Sequence, residues 1–315
     1  MLVINSLISL FRGIQNLLFN PYAKYSHYLS LGGGKSNRFV QECSSEGERC
    51  SMLIVTIAYN EETLIRKQIE LIKTHIKDSE YCHIVVDNSP CSTKRRLIKQ
   101  VCREKGIEYI PVPKYIDKLI ATRLFWYGLS HGAALNWMFY NVLQVRKPAR
   151  FALLDHDILP IVDCNLTETL GNRDFYGVKR DRGDGWYLWP GYSIFNFDVL
   201  SKIKPNFLPM RTKRAFLDAG GANYPILYKN YDINEVDFAV DKTYRITVTE
   251  RIEDVYHGDC IQRVDIAWLH IINGSNYAHV KGKEGAVIDI IENIGRFQQM
   301  YQEHNELYLK AQIDN

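Results

Sequence analysis

The sequence has no CxxC pair, and its seven cysteines form an odd set without regular spacing. A disulfide framework and a Cys-type metal site are excluded, and the pattern reads as reduced thiols in a cytosolic compartment. A strong excess of either charge is also missing. Thirty-nine Lys and Arg stand against 36 Asp and Glu, a net charge of +3, well short of the basic balance of a nucleic-acid binder. The local basic clusters at Lys94-Arg95-Arg96 and 211–214 read as solvated helix ends, the second being the better placed for an anionic partner. No apolar run is long enough to span a bilayer. Residues 1–19 come nearest, but Asn5, Ser6, Ser9, Arg12, Gln15 and Asn16 interrupt them and no positive charge precedes the apolar part. That disfavours both a spanning helix and a signal peptide. The glycine run 32–36 lacks the GxxxxGK[ST] spacing and a preceding strand, so it reads as a joint rather than a phosphate loop. Repeats and low-complexity segments are absent.

What is present is ordinary globular composition, 46% hydrophobic over 315 residues, enough for one large domain with additions or two small ones. Val3, Ile4, Leu7, Ile8, Phe11, Ile14 and Leu18 recur at helical spacing and predict an amphipathic helix over 1–19. Such a helix either packs on the domain or makes peripheral contact with a membrane surface. From residue 52 apolar strands alternate with amphipathic helices: strands at 52–57, 82–86, 107–112 and 151–154, helices at 61–75, 93–105 and 126–144. This predicts an α/β fold on a mostly parallel, doubly wound sheet. After residue 160 the pattern changes to strands at 175–179, 192–197, 244–249 and 267–272, with helices over 218–229 and 284–312. The expected organisation is an N-terminal helix and loop (1–50), a first half (51–160), a second half (161–283) and a C-terminal helix (284–315).

In open α/β sheets ligands bind beyond the carboxyl ends of the strands. Three such ends are polar here: Ala58-Tyr59-Asn60-Glu61, Asp87-Asn88-Ser89 and Asp155-His156-Asp157. The last follows the apolar run Phe151-Ala152-Leu153-Leu154. A phosphate ester needs its charge met by a hard cation, and one or two carboxylates with phosphate oxygens and water are the usual ligands. Two aspartates spaced by two at a strand end suit that task, although exposed turn aspartates would share the pattern.

The order and spacing of these segments resemble family 2-like glycosyltransferases of the GT-A type. Residues 54–61 look like that family's opening strand and loop, Asp87-Asn88-Ser89 like its second strand end, and Leu153-Leu154-Asp155-His156-Asp157 like its Asp-x-Asp segment. Gly132, Ala134 and Asn136 stand where its Gly/Ala/Asn helix does. The resemblance covers about residues 52–160. It implies a Rossmann-like GT-A sheet flanked by helices, with helical additions at both ends. It implies a nucleotide-sugar donor, linked to UDP or GDP, bound by 51–160, and a glycan or glycolipid acceptor bound by 161–283, as in polysaccharide biosynthesis on the cytoplasmic side. Ala58, Tyr59 and Asn60 would line the donor, Asp87 would meet the nucleobase, and Asp155 would approach the ribose; His156 is counted among the donor-binding candidates, although the family gives it no role and a spacer is its alternative. Asp157 would bind Mn²⁺ or Mg²⁺.

The second half resembles the family only loosely. Trp186, Trp189 and Tyr192 form an aromatic run suited to stacking on an acceptor sugar or to filling a core. Asp218, before Gly220 and Gly221, is the candidate general base, with a helix N-cap as its alternative. His270 is the candidate second metal ligand, with His257 its competitor. Lys281, Lys283, Arg123 and His131 are placed to meet phosphates or to be plain solvated side chains. Two rival readings remain. A haloacid-dehalogenase-like phosphatase also carries Asp-x-Asp, but near its N-terminus and followed by Thr, where Leu159 and Pro160 stand nearby here. A non-catalytic GT-A-like protein would bind nucleotide or glycan without turnover.

Overall fold

A computed structural model describes residues 50–114, 129–245, 260–272, 274, 283–299 and 303. The expected 1–19 helix, the 32–36 run, Arg123, His257 and Lys281 lie outside the described residues.

Strand β1 (Met52–Ala58) buries every side chain, the mark of a strand covered on both faces. It lies in the middle of its neighbours β2 (Tyr81–Asp87) and β4 (Arg150–Asp155), parallel to both, and β3 (Glu108–Pro111) extends the sheet beyond β2. Helices α1 (Glu62–His75), α2 (Ser92–Lys105) and α3 (Leu129–Met138) cover it. Gly106 closes α2 in the left-handed region, φ +65°, where a side chain would be strained. Helix α3 runs on through a π turn, Phe139–Leu143.

The chain then forms β5 (Ile158–Pro160), α4 (Leu166–Leu170), β6 (Phe175–Asp181), β7 (Trp186–Asn196), α5 (Phe197–Ile203) and the short pair β8 (Met210–Arg211) and β9 (Phe216–Leu217). After these come β10 (Asp241–Arg245), β11 (Cys260–Val264), β12 (Trp268–Ile271) and α6 (Lys283–Glu292), with further helix at 294–299. The main sheet has the order β3-β2-β1-β4-β7-β6. Only β7 runs against the others, so this is an α/β, Rossmann-like, mostly parallel sheet flanked by helices. A second sheet has the order β10-β11-β12-β5.

The two expected halves interlock. Strands β6 and β7 complete the first sheet, and β5 leaves it to become the edge of the second. The turn 155–157 is therefore where the chain changes sheets. Along β1, Leu53, Val55 and Ile57 face the core shared with α3, while Met52 and Ile54 face the side where Ile72 of α1 packs with Trp268 of the second sheet. The helix expected over 218–229 does not form. Two 3₁₀ turns, Gly221–Asn223 and Tyr228–Asn230, stand there. Gly220 takes φ +93°, and Pro225 has no N–H for a helical ladder. No described helix is long and apolar enough to cross a membrane.

Candidate active site

The main sheet has its switch point between β1 and β4, because the connection from β1 goes to β2 on one side while β4 lies on the other. Ligand crevices open at such points. On β4, Phe151 and Leu153 point to the α3 core and Ala152 and Leu154 to the opposite face. Asp155 continues the first alternation and meets His131 of α3, whose Nε2 stands 3.2 Å from Asp155 Oδ1. That nitrogen is buried and makes no hydrogen bond among the described residues. On β7, Gly191 passes against Asp155. A Cβ at that position would come within 2.7 Å of Asp155 Oδ2 and 2.1 Å of the Trp189 ring, so only glycine leaves room for both.

The turn itself is clamped from two sides. Gln68 is the polar residue among Leu64, Ile65, Ile69 and Ile72 on the buried face of α1. Its Nε2 donates to the carbonyls of Asp155 and Ile158, each at 2.7 Å, and its Oε1 accepts from Thr56 Oγ1 at 2.7 Å. From the other side His156 Nδ1 donates to the Ile57 carbonyl at 3.1 Å, with the ring buried. His156 thus braces the turn against β1 through Nδ1, while its Nε2 is buried without a hydrogen-bond partner among the described residues. With both carbonyls and the middle residue held, the flanking aspartates are fixed in direction.

Asp157 meets the second sheet. His270 on β12 pairs with Ile158 in register, and its Nε2 lies 3.8 Å from Asp157 Oδ1, both side chains nearly buried. Gly274 lies close by: a Cβ there would come within 2.5 Å of Asp157 Cβ. Asp218 is exposed, with Oδ1 accepting from the Ala219 N–H at 2.7 Å. Its charge still reaches the cluster. Burial, then Asp157, then Asp218 push the Asp155 carboxyl up to about 8, against the opposing pull of His156. Burial pushes His131 down to about 4, opposed by Asp218 and Asp157. Three carboxylates in mutual range, one of them disfavoured as an anion, form an environment that a divalent cation would relieve.

The residues fit such an ion. Two bonds of about 2.1 Å span at most about 4.2 Å, so one ion can touch both Asp157 and His270 across their 3.8 Å gap. An imidazole in the ligand set suits a transition ion better than Mg²⁺, and the carboxylate suits Mn²⁺ as well as Mg²⁺. Among the described residues no ready group of three Asp, Glu, His or Cys ligands is found. The remaining positions would fall to phosphate oxygens and water, as is usual for ions on nucleotide esters.

Other expected site residues divide. Asn60 holds a left-handed φ of +57°, which Asn tolerates, and its N–H donates to Ser89 Oγ at 2.7 Å. Its Oδ1 is buried without a hydrogen-bond partner among the described residues, so it remains open to a ligand donor. Tyr59 is half-buried beside it. Ala58 is instead fully buried, its methyl packed with Ile65 and Ile69 of α1. Asp87 is fully buried too. Its Oδ1 accepts from the Ser89 N–H at 2.8 Å and its Oδ2 from the Tyr109 hydroxyl at 2.7 Å, so it holds the β2 end together rather than reaching a nucleobase.

The aromatic run splits in the same way. Trp186 lies in the core with ring centroids of Tyr228 at 4.9 Å and Phe238 at 5.3 Å, leaving no face for a sugar. Tyr192 is fully buried and its hydroxyl donates to Asp265 Oδ2 at 3.1 Å. It ties the two sheets together and cannot bind an acceptor. Trp189 alone reaches the site, half-buried between His270, at 4.6 Å, and the Arg180 guanidinium, at 5.3 Å. Gln68 and Gly191 carried no expected role. For Gln68 a signal existed, a lone amide on an apolar helix face. Gly191 becomes visible only through its approach to Asp155 on the neighbouring strand.

No protein-family model matches the chain, and no curated protein matches it. Among solved structures it is similar to core-mannan synthase A from Aspergillus fumigatus in its Mn/GDP form, at 12% identity and TM-score 0.35, over 50% of this chain and 62% of that one. It is similar to a mannosyltransferase from Pyrobaculum calidifontis in complex with GDP-Man and Mn²⁺, at 13% identity and TM-score 0.34, over 59% of this chain and 56% of that one. It is also similar to the galactosyltransferase LgtC, at 19% identity and TM-score 0.33, over 48% of this chain and 60% of that one. The chain thus matches less than two thirds of the length of each of these proteins, and the roles at its site rest on its own residues.

Proposed function

We propose that this chain is a metal-dependent glycosyltransferase that moves a sugar from a nucleotide-sugar to a glycan or lipid-linked glycan. The observation that carries the reading is the approach of Asp157 and His270 to 3.8 Å, beside Asp155, at the switch point of the main sheet. Asp157 and His270 hold Mn²⁺. When bound, the ion supplies charge stabilisation to the departing nucleoside diphosphate. Asn60 and Tyr59, at the end of β1, receive the nucleoside of a UDP- or GDP-linked donor, and Asp155 accepts from a ribose hydroxyl. Gln68 and His156 keep the 155–157 turn from moving as the donor binds. The acceptor enters on the side of Trp189, and Asp218, exposed at the mouth, takes the proton from its attacking hydroxyl. The cytoplasmic side is the proposed place of work, with residues 1–19 the segment for any membrane contact.

Thermal stability against UDP, GDP, CMP and their sugar esters, with and without Mn²⁺, tests the reading. The expected result is a Mn²⁺-dependent stabilisation by one nucleotide that is lost in Asp157→Ala. No stabilisation by any of them would overturn the transferase assignment.

A further inference from the structure

Gln262 on β11 stands directly opposite His270 on β12 in the register of the second sheet. Its amide is nearly buried and engaged at both ends. One end donates from Nε2 to Asp241 Oδ2 at 2.6 Å, and the other, Oε1, lies 2.9 Å from His270 Nδ1. These contacts fix a proton. A carboxylate only accepts, so the amide nitrogen must face Asp241 and the amide oxygen must face His270. A carbonyl oxygen also only accepts, so His270 Nδ1 carries the hydrogen. In the neutral ring, the form that binds metal, Nε2 is then the acceptor nitrogen, and it is Nε2 that faces Asp157. The start of the chain is anchored as well: Arg180 on β6 bonds the same Asp241 oxygen. The Arg180 guanidinium also lies over Trp189, whose ring packs on His270. The imidazole is thus held along one edge by Gln262 and on one face by Trp189.

We propose that Gln262 is a positioning residue that, through Asp241 and Arg180, holds His270 in the Nδ1–H tautomer and so presents Nε2 to the ion shared with Asp157. This rests on the metal-dependent reading above. A bare imidazole divides between two tautomers and turns about its side-chain bonds, and in only one arrangement is the lone pair aimed at the ion. Loss of an outer partner of this kind typically weakens metal affinity about 10- to 100-fold.

The test uses the full chain with Mn²⁺ alone, titrated by electron paramagnetic resonance. Spin-echo modulation reads directly bound nitrogen, and melting under chelator reads stability. In the wild type, Mn²⁺ binds with a nitrogen coupling that disappears in His270→Ala. In Gln262→Leu, affinity falls about 10- to 100-fold and the nitrogen coupling weakens. In Gln262→Glu combined with Asp241→Asn, where the new carboxylate accepts both from Nδ1–H and from the amide at position 241, the coupling persists and affinity exceeds that of Gln262→Leu. Wild-type affinity and coupling in Gln262→Leu would overturn the proposal, as would equal weakening in the Leu and Glu variants. Should Gln262→Leu fail to fold, Asp241→Asn leaves Gln262 in place but lets its amide turn. Weaker Mn²⁺ binding there supports the relay, and unchanged binding overturns it. The broader reading fails separately: Mn²⁺ binding untouched by Asp157→Ala and His270→Ala would show that the ion is held elsewhere.

Discussion

Strands β2 and β4 lie on either side of β1, and each ends an apolar run on an aspartate: Ile84-Val85-Val86-Asp87 and Ala152-Leu153-Leu154-Asp155. By sequence the two ends are alike. In the structure Asp87 is fully buried, with one oxygen on the Ser89 N–H and the other on the Tyr109 hydroxyl. Asp155 shares its surroundings with Asp157 and Asp218, and its carboxyl is pushed up to about 8. The first carboxylate is satisfied by protein donors and works as a brace. The second is set among groups of its own sign, and burial with those charges disfavours its anion. What separates them is the set of partners: Ser89 just after β2 and Tyr109 of β3 in one case, His131 of α3 and Gly191 of β7 in the other.

Substitutions sharpen this contrast. The largest effect is expected at Asp157. Asp157→Ala should cut transfer activity on the order of 1,000-fold or more, the several kcal/mol that an ion supplies to the transition state, with the melting temperature under chelator unchanged or higher. Turnover assays beside melting curves check this, and wild-type turnover would dissolve the difference between the two strand ends. Next comes Gly191→Ala, whose Cβ would press on Asp155 and Trp189. A displacement of about 1 Å at a reacting site costs on the order of 100-fold, so activity should fall by that much while the chain stays folded.

At the β2 end the effect should move from activity to stability. Asp87→Ala leaves the Ser89 N–H and the Tyr109 hydroxyl without their acceptor, costing ~1–3 kcal/mol in urea unfolding, while Mn²⁺ affinity stays at the wild-type value. A loss of Mn²⁺ affinity without destabilisation would reverse the assignment. The smallest effect is a slope with pH in the chelated protein. Burial and the neighbouring Asp157 charge raise the folded carboxyl of Asp155 above its ordinary 3.8, so the folded state binds an extra proton and stability falls as pH rises from the ordinary carboxylate range towards the raised value. His131 acts in a different window. Its folded value near 4 against 6.5 means that its contribution is complete above 6.5 and is lost as pH falls towards 4. Asp155→Asn should flatten the part of the slope in which stability falls as pH rises.

Legibility followed the range of the interactions. Strands β1 to β4 and their helices were readable because each announces itself locally: Met52 to Ala58 as an unbroken apolar run, α1 by Leu64, Ile65, Ile69 and Ile72, the end of α2 by Gly106. The expected 218–229 helix was misleading because helical spacing ignored the conformation of Gly220 and the missing N–H of Pro225. Within the aromatic run the sequence offers no means of telling Trp186, closed in by Tyr228 and Phe238, from Trp189, which stands beside His270.

The sequence by itself determined an α/β chain with a pair of aspartates at the end of a buried strand, because apolar periodicity and strand-end chemistry are written in neighbouring residues. The tertiary structure decided which strand-end aspartate is satisfied by protein donors and which is set among other carboxylates. It turned His156 inward, set His270 against Asp157, and assigned Gln68 and Gln262 to hold them. Those outcomes depend on β5 crossing from one sheet to the other, which brings residues about a hundred positions apart within hydrogen-bond reach, and no local pattern encodes that approach.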